Sequence, residues 1–228
     1  MFINLITRLV VFIVGFDEKL IIRSGFRIGI QPGDTALLVY SVSGGEFEKS
    51  KVVKAVETLR SIFINAGINL RELVLEANSF GEDVARLVYV LNELKPERLV
   101  VSLGSGMRYL GLVSLYASLI YRELVKNVEL VVHVAREDGL YDVALNLDTL
   151  KLSIGRSELR LLCFVKKSVE RDVVVRDSCV KLGKTRSTIY TLLHRMVKRG
   201  LIVLRNNVVE LTPLGEALYY VFCGVESE

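Results

Sequence analysis

The 228-residue sequence contains only two histidines and three cysteines. Neither His133 nor His194 stands in an HExxH motif or another dense spacing of metal ligands. The cysteines, Cys163, Cys179 and Cys223, are odd in number, widely separated and without a CxxC pair. These absences argue against a metal site and against a disulfide framework. A GxSxG motif is also missing, so nothing favours a Ser-His-Asp hydrolase.

Long apolar runs are missing as well. No uncharged apolar segment approaches the roughly 20 residues that a membrane-spanning helix needs. The longest early run, Leu9–Gly15, is far too short, and no small-residue cleavage site follows it. We therefore expect a cytoplasmic protein with no membrane partner. With 51% hydrophobic and 25% charged residues the chain can fill a core, and its length fits two domains of unequal size.

The charge is unevenly distributed along the chain. Residues 1–150 hold 16 Lys and Arg against 18 Asp and Glu, whereas residues 151–228 hold 14 against 8, a net charge of +6. A basic C-terminal third on a near-neutral body suggests that this end binds a polyanion. A solvated basic face is the plainer reading, and charge alone does not decide between them.

The first 150 residues alternate between short apolar runs and segments of helical period. Nearly continuous apolar runs are typical of parallel strands covered on both faces. The expected strands are Leu9–Gly15, Thr35–Tyr40, Leu73–Glu76, Leu99–Leu103 and Leu130–Val134, with an edge strand near Tyr141–Leu147. This alternation predicts an α/β fold, with a Rossmann-like domain of mainly parallel sheet over residues 1–150.

Three helices are expected between these strands, at Lys51–Ala66, Glu82–Leu94 and Met107–Leu124. The third is apolar on nearly all sides, so it must be buried on more than one side. It either lies under the sheet or forms a dimer interface, and we favour the dimer.

From Lys151 the periodicity becomes helical, which predicts a second, smaller domain over residues 151–228. The expected elements are helices at Glu158–Lys167 and Arg176–Leu182, a third helix from the N-cap Thr185 to about Arg199, strands at Leu201–Arg205 and Val208–Leu211 joined by Asn206-Asn207, and a helix at Leu214–Phe222. Helix, helix, turn, helix, hairpin is the order of a winged helix-turn-helix.

The third helix of this region has the composition of a helix that reads the major groove. Its apolar stripe leaves an opposite face of hydroxyl and basic side chains, which suit phosphates and base edges. The candidate DNA-binding residues are Lys184, Thr185, Arg186, Ser187, Thr188, Thr191, Arg195 and Lys198, with Arg205, Asn206 and Asn207 at the hairpin tip. A protein-docking domain with a basic face is the alternative, and the turn, the hairpin and the charge favour double-stranded DNA.

Three loops at the carboxyl ends of the expected strands are rich in glycine and small polar residues: Gly15–Lys19, Ser41–Gly45 and Gly104–Arg108. Ligands of open parallel sheets bind at these ends, and glycines, a helix N-terminus and an arginine together make an anion or phosphate site. Neither GxxxxGK[ST] nor GxGxxG fits, so P-loop nucleotide hydrolysis is not expected. Tight packing of strand against helix would also explain the third loop.

The segment GFDEK after the first strand, SLGSGMRYL after the fourth and the C-terminal winged helix-turn-helix together resemble a family. They look like the archaeal CRISPR-associated transcriptional regulators of the Csa type, which carry an N-terminal CARF (CRISPR-associated Rossmann fold) domain. The resemblance covers nearly the whole chain, although the first eight residues extend beyond the usual strand start. It implies a homodimer that binds a cyclic oligoadenylate, with cyclic tetra-adenylate as the expected ligand. Ligand binding would adjust the affinity of the protein for CRISPR-related promoter DNA in antiviral defence.

The resemblance also implies ligand-binding residues and no cofactor. By position, the ligand phosphates and riboses would be held by Gly104, Ser105, Gly106, Met107 and Arg108. The floor of the same site would be lined by Gly15, Phe16 and Asp17, and its rim would be formed by Ser43, Gly44 and Gly45. We expect no enzyme activity. Two alternatives remain: a ring nuclease assisted by Ser43, Ser105 and Lys19, or a regulator that responds to another small anion.

Overall fold

The structure is a computed structural model that describes residues 8–125, 127–135, 142–146, 154–165 and 168–223. Within these ranges the chain divides into two compact units, residues 8–79 with 86–146 and residues 80–85 with 154–223. Each unit is built around its own sheet.

Six strands form the sheet of the first unit. They are β1 (Arg8–Ile13), β2 (Thr35–Tyr40), β3 (Asn69–Val74), β4 (Arg98–Leu103), β5 (Glu129–Ala135) and β6 (Asp142–Asn146). Their order is β3-β2-β1-β4-β5-β6, in which β1 to β5 are parallel and β6 runs antiparallel to β5. The predicted Rossmann-like α/β fold is confirmed. The edge strand expected near Tyr141–Leu147 is β6, although Tyr141 and Leu147 themselves lie outside the described residues.

Four helices connect the parallel strands: α1 (Glu18–Ile28), α2 (Glu46–Asn65), α3 (Phe80–Leu94) and α4 (Arg108–Leu124). The strand order reverses beside β1, because the chain adds β2 and β3 on one side and then crosses to β4 on the other. In an open parallel sheet, the carboxyl ends of strands at such a reversal border a crevice. Here those strands are β1 and β4.

The sheet core explains the apolar strand sequences. Every residue of β2 is buried, as is every residue of β1 after Arg8. On one face Val56, Leu59 and Phe63 of α2 belong to the same buried cluster as Phe12, and the Phe12 and Phe63 ring centres are 5.5 Å apart. Burial of each large apolar side chain contributes about 1.5–3 kcal/mol.

The apolar helix α4 packs against β1, β4 and β5. Leu110, Val113, Ala117 and Ile120 are fully buried, which accounts for its composition without a partner chain. Leu112 and Leu124 are the exposed exceptions among its large apolar side chains, at 53% and 41%. The sheet therefore accounts for the buried side of the helix, and a dimer interface stays a prediction.

Strand β3 differs from the expectation of Leu73–Glu76, since it begins at Asn69 and ends at Val74. It is an edge strand with mostly exposed side chains. Because its first residues are largely polar, they lack the apolar run from which the strand was predicted. The Glu72 carboxylate accepts hydrogen bonds from the Tyr40 hydroxyl (2.9 Å) and from Arg60 Nε (2.9 Å). Burial, and next the hydrogen bond that the Tyr40 hydroxyl donates to Glu72, raise the pKa of Tyr40 to about 12.

Helix α1 was not expected, because Gly15–Lys19 was interpreted as an open loop. Asp17 is its N-cap and accepts a hydrogen bond from the backbone N–H of Lys19 at 2.9 Å. Glu18 and Lys19 are therefore the first helical residues. An N-cap aspartate is a recognisable sequence signal that the loop interpretation passed over.

The second unit has four helices and three strands in its described residues. They are α5 (Arg156–Leu162), β7 (Ser168–Glu170), α6 (Arg171–Leu182), α7 (Arg186–Lys198), β8 (Ile202–Arg205), β9 (Val208–Leu211) and α8 (Pro213–Cys223). The strands form an antiparallel sheet in the order β7-β9-β8. The first helix, expected at Glu158–Lys167, ends at Leu162, while Lys166 and Lys167 lie outside the described residues. The second, expected at Arg176–Leu182, begins at Arg171.

The turns of this unit follow their sequence signals. Thr185 caps α7 by accepting from the Thr188 backbone N–H, and Gly183 ends α6 in the left-handed region with φ of 62°. Asn206 and Asn207 both have positive φ, 49° and 66°, between β8 and β9. Two such residues are what a two-residue type I′ hairpin requires.

The cysteine pattern argued against a disulfide framework, but the structure contains one disulfide bond. Cys163 directly follows α5, Cys223 is the last residue of α8, and the two are bonded with Cα atoms 5.4 Å apart. Sixty positions separate them, so spacing alone could not pair them. Packing of α5 against α8 brings them together. Cys179 is a free thiol.

None of the helices in the described ranges combines the length and apolar character needed to cross a membrane.

Candidate functional site

A cavity of about 460 Å³ opens at the carboxyl edge of the parallel sheet, where β1, β2 and β4 end. It is lined by residues that follow each of these strands and by side chains of α1 and α2: Val14, Gly15, Phe16, Asp17, Leu20, Ser41, Ser43, Glu48, Val52, Ser105, Gly106 and Met107. This is the crevice that the strand order creates. We call it the sheet-edge cavity.

Two glycines form the base of this cavity by packing backbone against backbone. A Cβ on Gly15 would lie 2.7 Å from the Gly106 Cα, and a Cβ on Gly106 would lie 2.5 Å from the Ile13 Cγ2. Gly106 also has a φ of 78°, which L-residues adopt only with strain. Close packing therefore explains these glycines, and it brings the loop after β4 into contact with the end of β1.

Hydroxyl groups fix the geometry of two loops. Ser105 Oγ donates a 2.6 Å hydrogen bond to the Ile13 carbonyl, which ties the β4–α4 loop to β1. After β2, the hydroxyls of Ser41 and Ser43 lie 2.7 Å apart, and the Ser43 N–H donates to Ser41 Oγ at 3.1 Å. The cavity is therefore largely preformed, and its serines keep lone pairs for a ligand.

The helix N-termini around the cavity differ in charge. The first turns of α1 and α2 hold Glu18 and Glu46 with Glu48, respectively, whereas the first turn of α4 has no acidic residue. The N-cap of α4, Met107, makes no side-chain capping bond, and Arg108 is its first residue. An uncapped helix N-terminus favours an anion by its dipole and its N–H groups. Among these three ends, α4 is the one suited to a phosphate.

Arg108 lies on a second cavity of about 500 Å³, formed by Leu103–Arg108 with Gly111, Leu112 and Leu115. Its side chain is exposed, and within the described part of the chain we find no hydrogen bond or ion pair to it. The two cavities share Ser105, Gly106 and Met107. The β4–α4 loop therefore separates the sheet-edge cavity from an open, partly apolar surface.

The structure brings most of the predicted ligand residues together. Gly15, Phe16, Asp17, Ser43, Ser105, Gly106 and Met107 line the sheet-edge cavity, whereas Gly104 and Arg108 line only the second one. Gly44 and Gly45 line neither cavity and lie beside the Glu48 carboxylate. A Cβ atom built on Gly44 would lie 3.9 Å from Glu48 Oε2, and one built on Gly45 would lie 2.7 Å from it. Their roles in binding stay predictions.

Sequence reasoning missed the contribution of α2. Glu48 and Val52 line the cavity, but the helix was expected to begin only at Lys51. The signal was Gly45 as N-cap followed by Glu46 and Glu48, since acidic residues favour a first turn. Glu48 places a carboxylate, an acceptor of hydrogen bonds, on the same cavity as Met107, the N-cap of α4.

The residues that the structure describes contain no cluster of three or more His, Cys, Asp or Glu side chains able to hold a metal ion.

In the second unit, the predicted DNA-binding residues form an exposed surface on α7 and the hairpin. Ile189, Leu192, Leu193 and Met196 are buried as the stripe predicted. The opposite residues are exposed, apart from the half-buried Lys184: Thr185, Arg186, Ser187, Thr188, Thr191, Arg195, Lys198, Arg205, Asn206 and Asn207.

Several of these side chains already have partners. Thr185 caps α7, and Thr191 Oγ1 donates to the Ser187 carbonyl at 3.0 Å. Asn207 Nδ2 donates to Asp172 Oδ2 at 3.3 Å, which holds the hairpin turn to the start of α6. Within the described ranges no such partner engages Arg186 or Lys198, which leaves both able to meet a phosphate.

A buried carboxylate holds α7 to α5. Glu158 is 2% exposed, accepts from the Gly155 N–H at 2.7 Å, and also accepts from Arg199 Nη1. Arg195 Nε lies 3.8 Å from its other oxygen. Arg195, predicted to bind DNA, is thus an ion-pair partner within the unit.

No curated protein matches the sequence. Among solved structures, that of Can2 from Sulfobacillus thermosulfidooxidans in complex with cyclic tetra-adenylate (cA4) is similar, with 9% identity and a TM-score of 0.44 over 94% of this chain and 63% of that chain. At this identity and TM-score the likeness carries no argument about function.

The family comparison is stronger. Residues 8–146, which comprise β1 to β6 and all four helices between them, match the family model of the Csa3 CRISPR-associated Rossmann-like domain. The match takes in more than half of the chain and coincides with the sheet that forms the cavity. The chain therefore belongs to the Csa3 CRISPR-associated Rossmann-like domain family.

Proposed function

We propose that this chain is a CRISPR-associated transcription regulator that binds cyclic tetra-adenylate at its Rossmann-like domain and promoter DNA at its C-terminal unit. The observation that carries the proposal is the uncapped N-terminus of α4, with Arg108 and no acidic residue in its first turn, beside a preformed cavity in a member of the Csa3 family. These features suit an anionic, phosphate-containing ligand.

A homodimer fits this ligand. A ring of four identical nucleotides has two-fold symmetry, so it can lie across the axis of a dimer with one β4–α4 loop from each subunit. The second cavity, open and partly apolar beside the exposed Leu112, provides a surface for the second copy. Two copies of Arg108 would then face the anionic ring.

The C-terminal unit supports the DNA half of the proposal. Its described order, helix, strand, helix, helix, hairpin and helix, is compatible with the proposed winged helix-turn-helix, and the exposed face of α7 carries Arg186 and Lys198. In a dimer the two α7 helices must match half-sites about 34 Å apart. Ligand binding that moves the two α4 helices would alter this spacing and change DNA affinity. Such a regulator acts on DNA in the cytoplasm.

We propose that the ring is bound and not cleaved. Ser105 donates its hydroxyl proton to the Ile13 carbonyl, and the Ser43 hydroxyl is engaged with Ser41, so neither is poised to activate a ribose hydroxyl. Overnight incubation with labelled ring should return it intact, and linear product would assign a ring nuclease instead.

Thermal unfolding with cyclic tetra-adenylate tests the ligand site. Ligand at about 100 times its Kd adds about 2.7 kcal/mol of stability, a rise of roughly 5–10 °C in Tm for a chain of this size. The rise should vanish in Arg108→Ala. It should persist in Arg71→Ala, an exposed arginine on the edge strand β3 that lines neither cavity.

Absence of any rise in the wild type would remove cyclic tetra-adenylate as the ligand. A rise with other small phosphates alone would assign a different anion to the same loops.

A further inference from the structure

Two exposed phenylalanine rings flank the sheet-edge cavity. Phe16, in the segment between β1 and α1, lines the cavity and is 58% exposed, and Phe47, in the first turn of α2 next to the lining residue Glu48, is 69% exposed. Large apolar side chains in water forgo most of the 1.5–3 kcal/mol that burial provides. Two of them on separate elements beside one cavity point to a ligand surface.

A lysine joins these rings. The Nζ atom of Lys51 lies 4.1 Å from the centre of the Phe47 ring and 5.8 Å from the centre of the Phe16 ring. Both distances are within the range of a cation–π interaction. Phe47 and Lys51 are one turn apart on α2, so the helix itself sets their spacing. We call these three residues the aromatic rim.

The aromatic rim matches the two parts of a nucleotide. Flat bases stack on aromatic rings whatever their sequence, and an ammonium attracts the phosphate attached to the same nucleoside. Neither glycine backbone nor the α4 N-terminus supplies a ring on which a base can stack. The floor of the cavity, built from Gly15 and Gly106, therefore suits the sugar-phosphate backbone of the cyclic ligand. The aromatic rim suits a nucleobase.

We infer that Phe47 and Phe16 bind a nucleobase of the ligand by stacking, while Lys51 contacts the adjacent phosphate. This inference rests on the proposed function, which makes the base adenine. A purine offers a larger face than a pyrimidine, so the rim favours adenine-containing rings over uracil-containing rings of the same charge.

The test is a titration of cyclic tetra-adenylate against the full chain and its Phe47→Ala variant. Loss of a stacked base by alanine substitution should weaken binding by about 5- to 150-fold for each subunit that contacts the ring. The matched control is Phe26→Ala, which removes an even more exposed phenylalanine, 81%, near the far end of α1. It should bind within about twofold of wild type. An unchanged Tm without ligand would establish that Phe47→Ala folds.

A second probe separates stacking from charge. Cyclic tetra-uridylate keeps the four phosphates, so the wild type should prefer the adenylate ring and Phe47→Ala should lose much of that preference. Lys51→Met should instead weaken both rings alike and lower the salt dependence.

The outcomes distinguish this inference from the proposed function. Wild-type binding that Phe47→Ala leaves unchanged overturns the aromatic rim alone and keeps the ligand. Absence of wild-type binding overturns both.

Discussion

Gly15 and Gly106 bring the ends of β1 and β4 into backbone contact, and the cavity depends on that contact. Neither position has room for a side chain, since their would-be Cβ atoms meet atoms at 2.7 Å and 2.5 Å. Ser105 reinforces the contact through its hydrogen bond to Ile13. The lack of space for even one added carbon atom at Gly15 and Gly106 therefore sets the shape of the candidate ligand site.

Gly106→Ala should destabilise the chain by roughly 2–4 kcal/mol, because strain at positive φ adds to overpacking against Ile13. Urea unfolding of the full chain measures this cost. Gly29→Ala is the matched control, since Gly29 also has a positive φ, 67°, but has no atom within 4 Å of the would-be Cβ. It should cost only about 1 kcal/mol. Equal costs in the two variants would show that the loop is not packed as described.

Residue patterns predicted local features well and long-range pairings poorly. Asn206-Asn207 predicted the hairpin, and Thr185 predicted the start of α7, because turns and caps depend on neighbours in sequence. The Cys163–Cys223 bond depends on the packing of distant helices, which no spacing rule contains. The aromatic rim was missed for the same reason, since Phe16 and Lys51 meet only in the folded sheet.

At the scale of elements, the position of α7 depends on its attachment to α5. The Glu158 carboxylate accepts a hydrogen bond from the backbone N–H of Gly155, the N-cap of α5. It also forms ion pairs with Arg195 of α7 and with Arg199, the C-cap of α7. A buried carboxylate is stable only when such partners replace its lost water. The helix proposed to read DNA is thus oriented by a charge inside its own unit.

Glu158→Gln should lower the free energy of unfolding by about 1–3 kcal/mol, which thermal denaturation of the full chain measures. The cost stays below that of a fully buried pair, because the Arg195 and Arg199 side chains are 53% and 35% exposed and can reach water. The control, Glu170→Gln, alters an exposed carboxylate without a capping bond and should change stability by less than about 0.5 kcal/mol. A silent Glu158→Gln would contradict the anchoring role.

Element types were largely predictable, whereas element ends were not. Continuous apolar runs predicted β1, β2, β4 and β5 because both faces of a parallel sheet are covered. The edge strand β3 keeps polar side chains in solvent, so its first four residues carried no strand signal. Helix α1 was hidden because its start had been assigned to a ligand loop.

At the scale of the whole molecule, a Csa3-family Rossmann-like domain precedes a unit with a basic exposed helix. We propose that the first acts as the ligand sensor and the second as the DNA-binding effector. Energetic coupling between two sites typically amounts to 1–3 kcal/mol and acts in both directions. A ligand that alters DNA affinity must therefore itself bind differently when DNA is present.

The most direct measurement is the affinity of the full chain for CRISPR-related promoter DNA, with and without saturating cyclic tetra-adenylate, at one fixed salt concentration. We expect an affinity change of about 5- to 150-fold in the wild type and no change in Arg108→Ala. Arg71→Ala should respond as the wild type does. Equal DNA affinity with and without ligand in the wild type would show that the Rossmann-like domain does not regulate DNA binding.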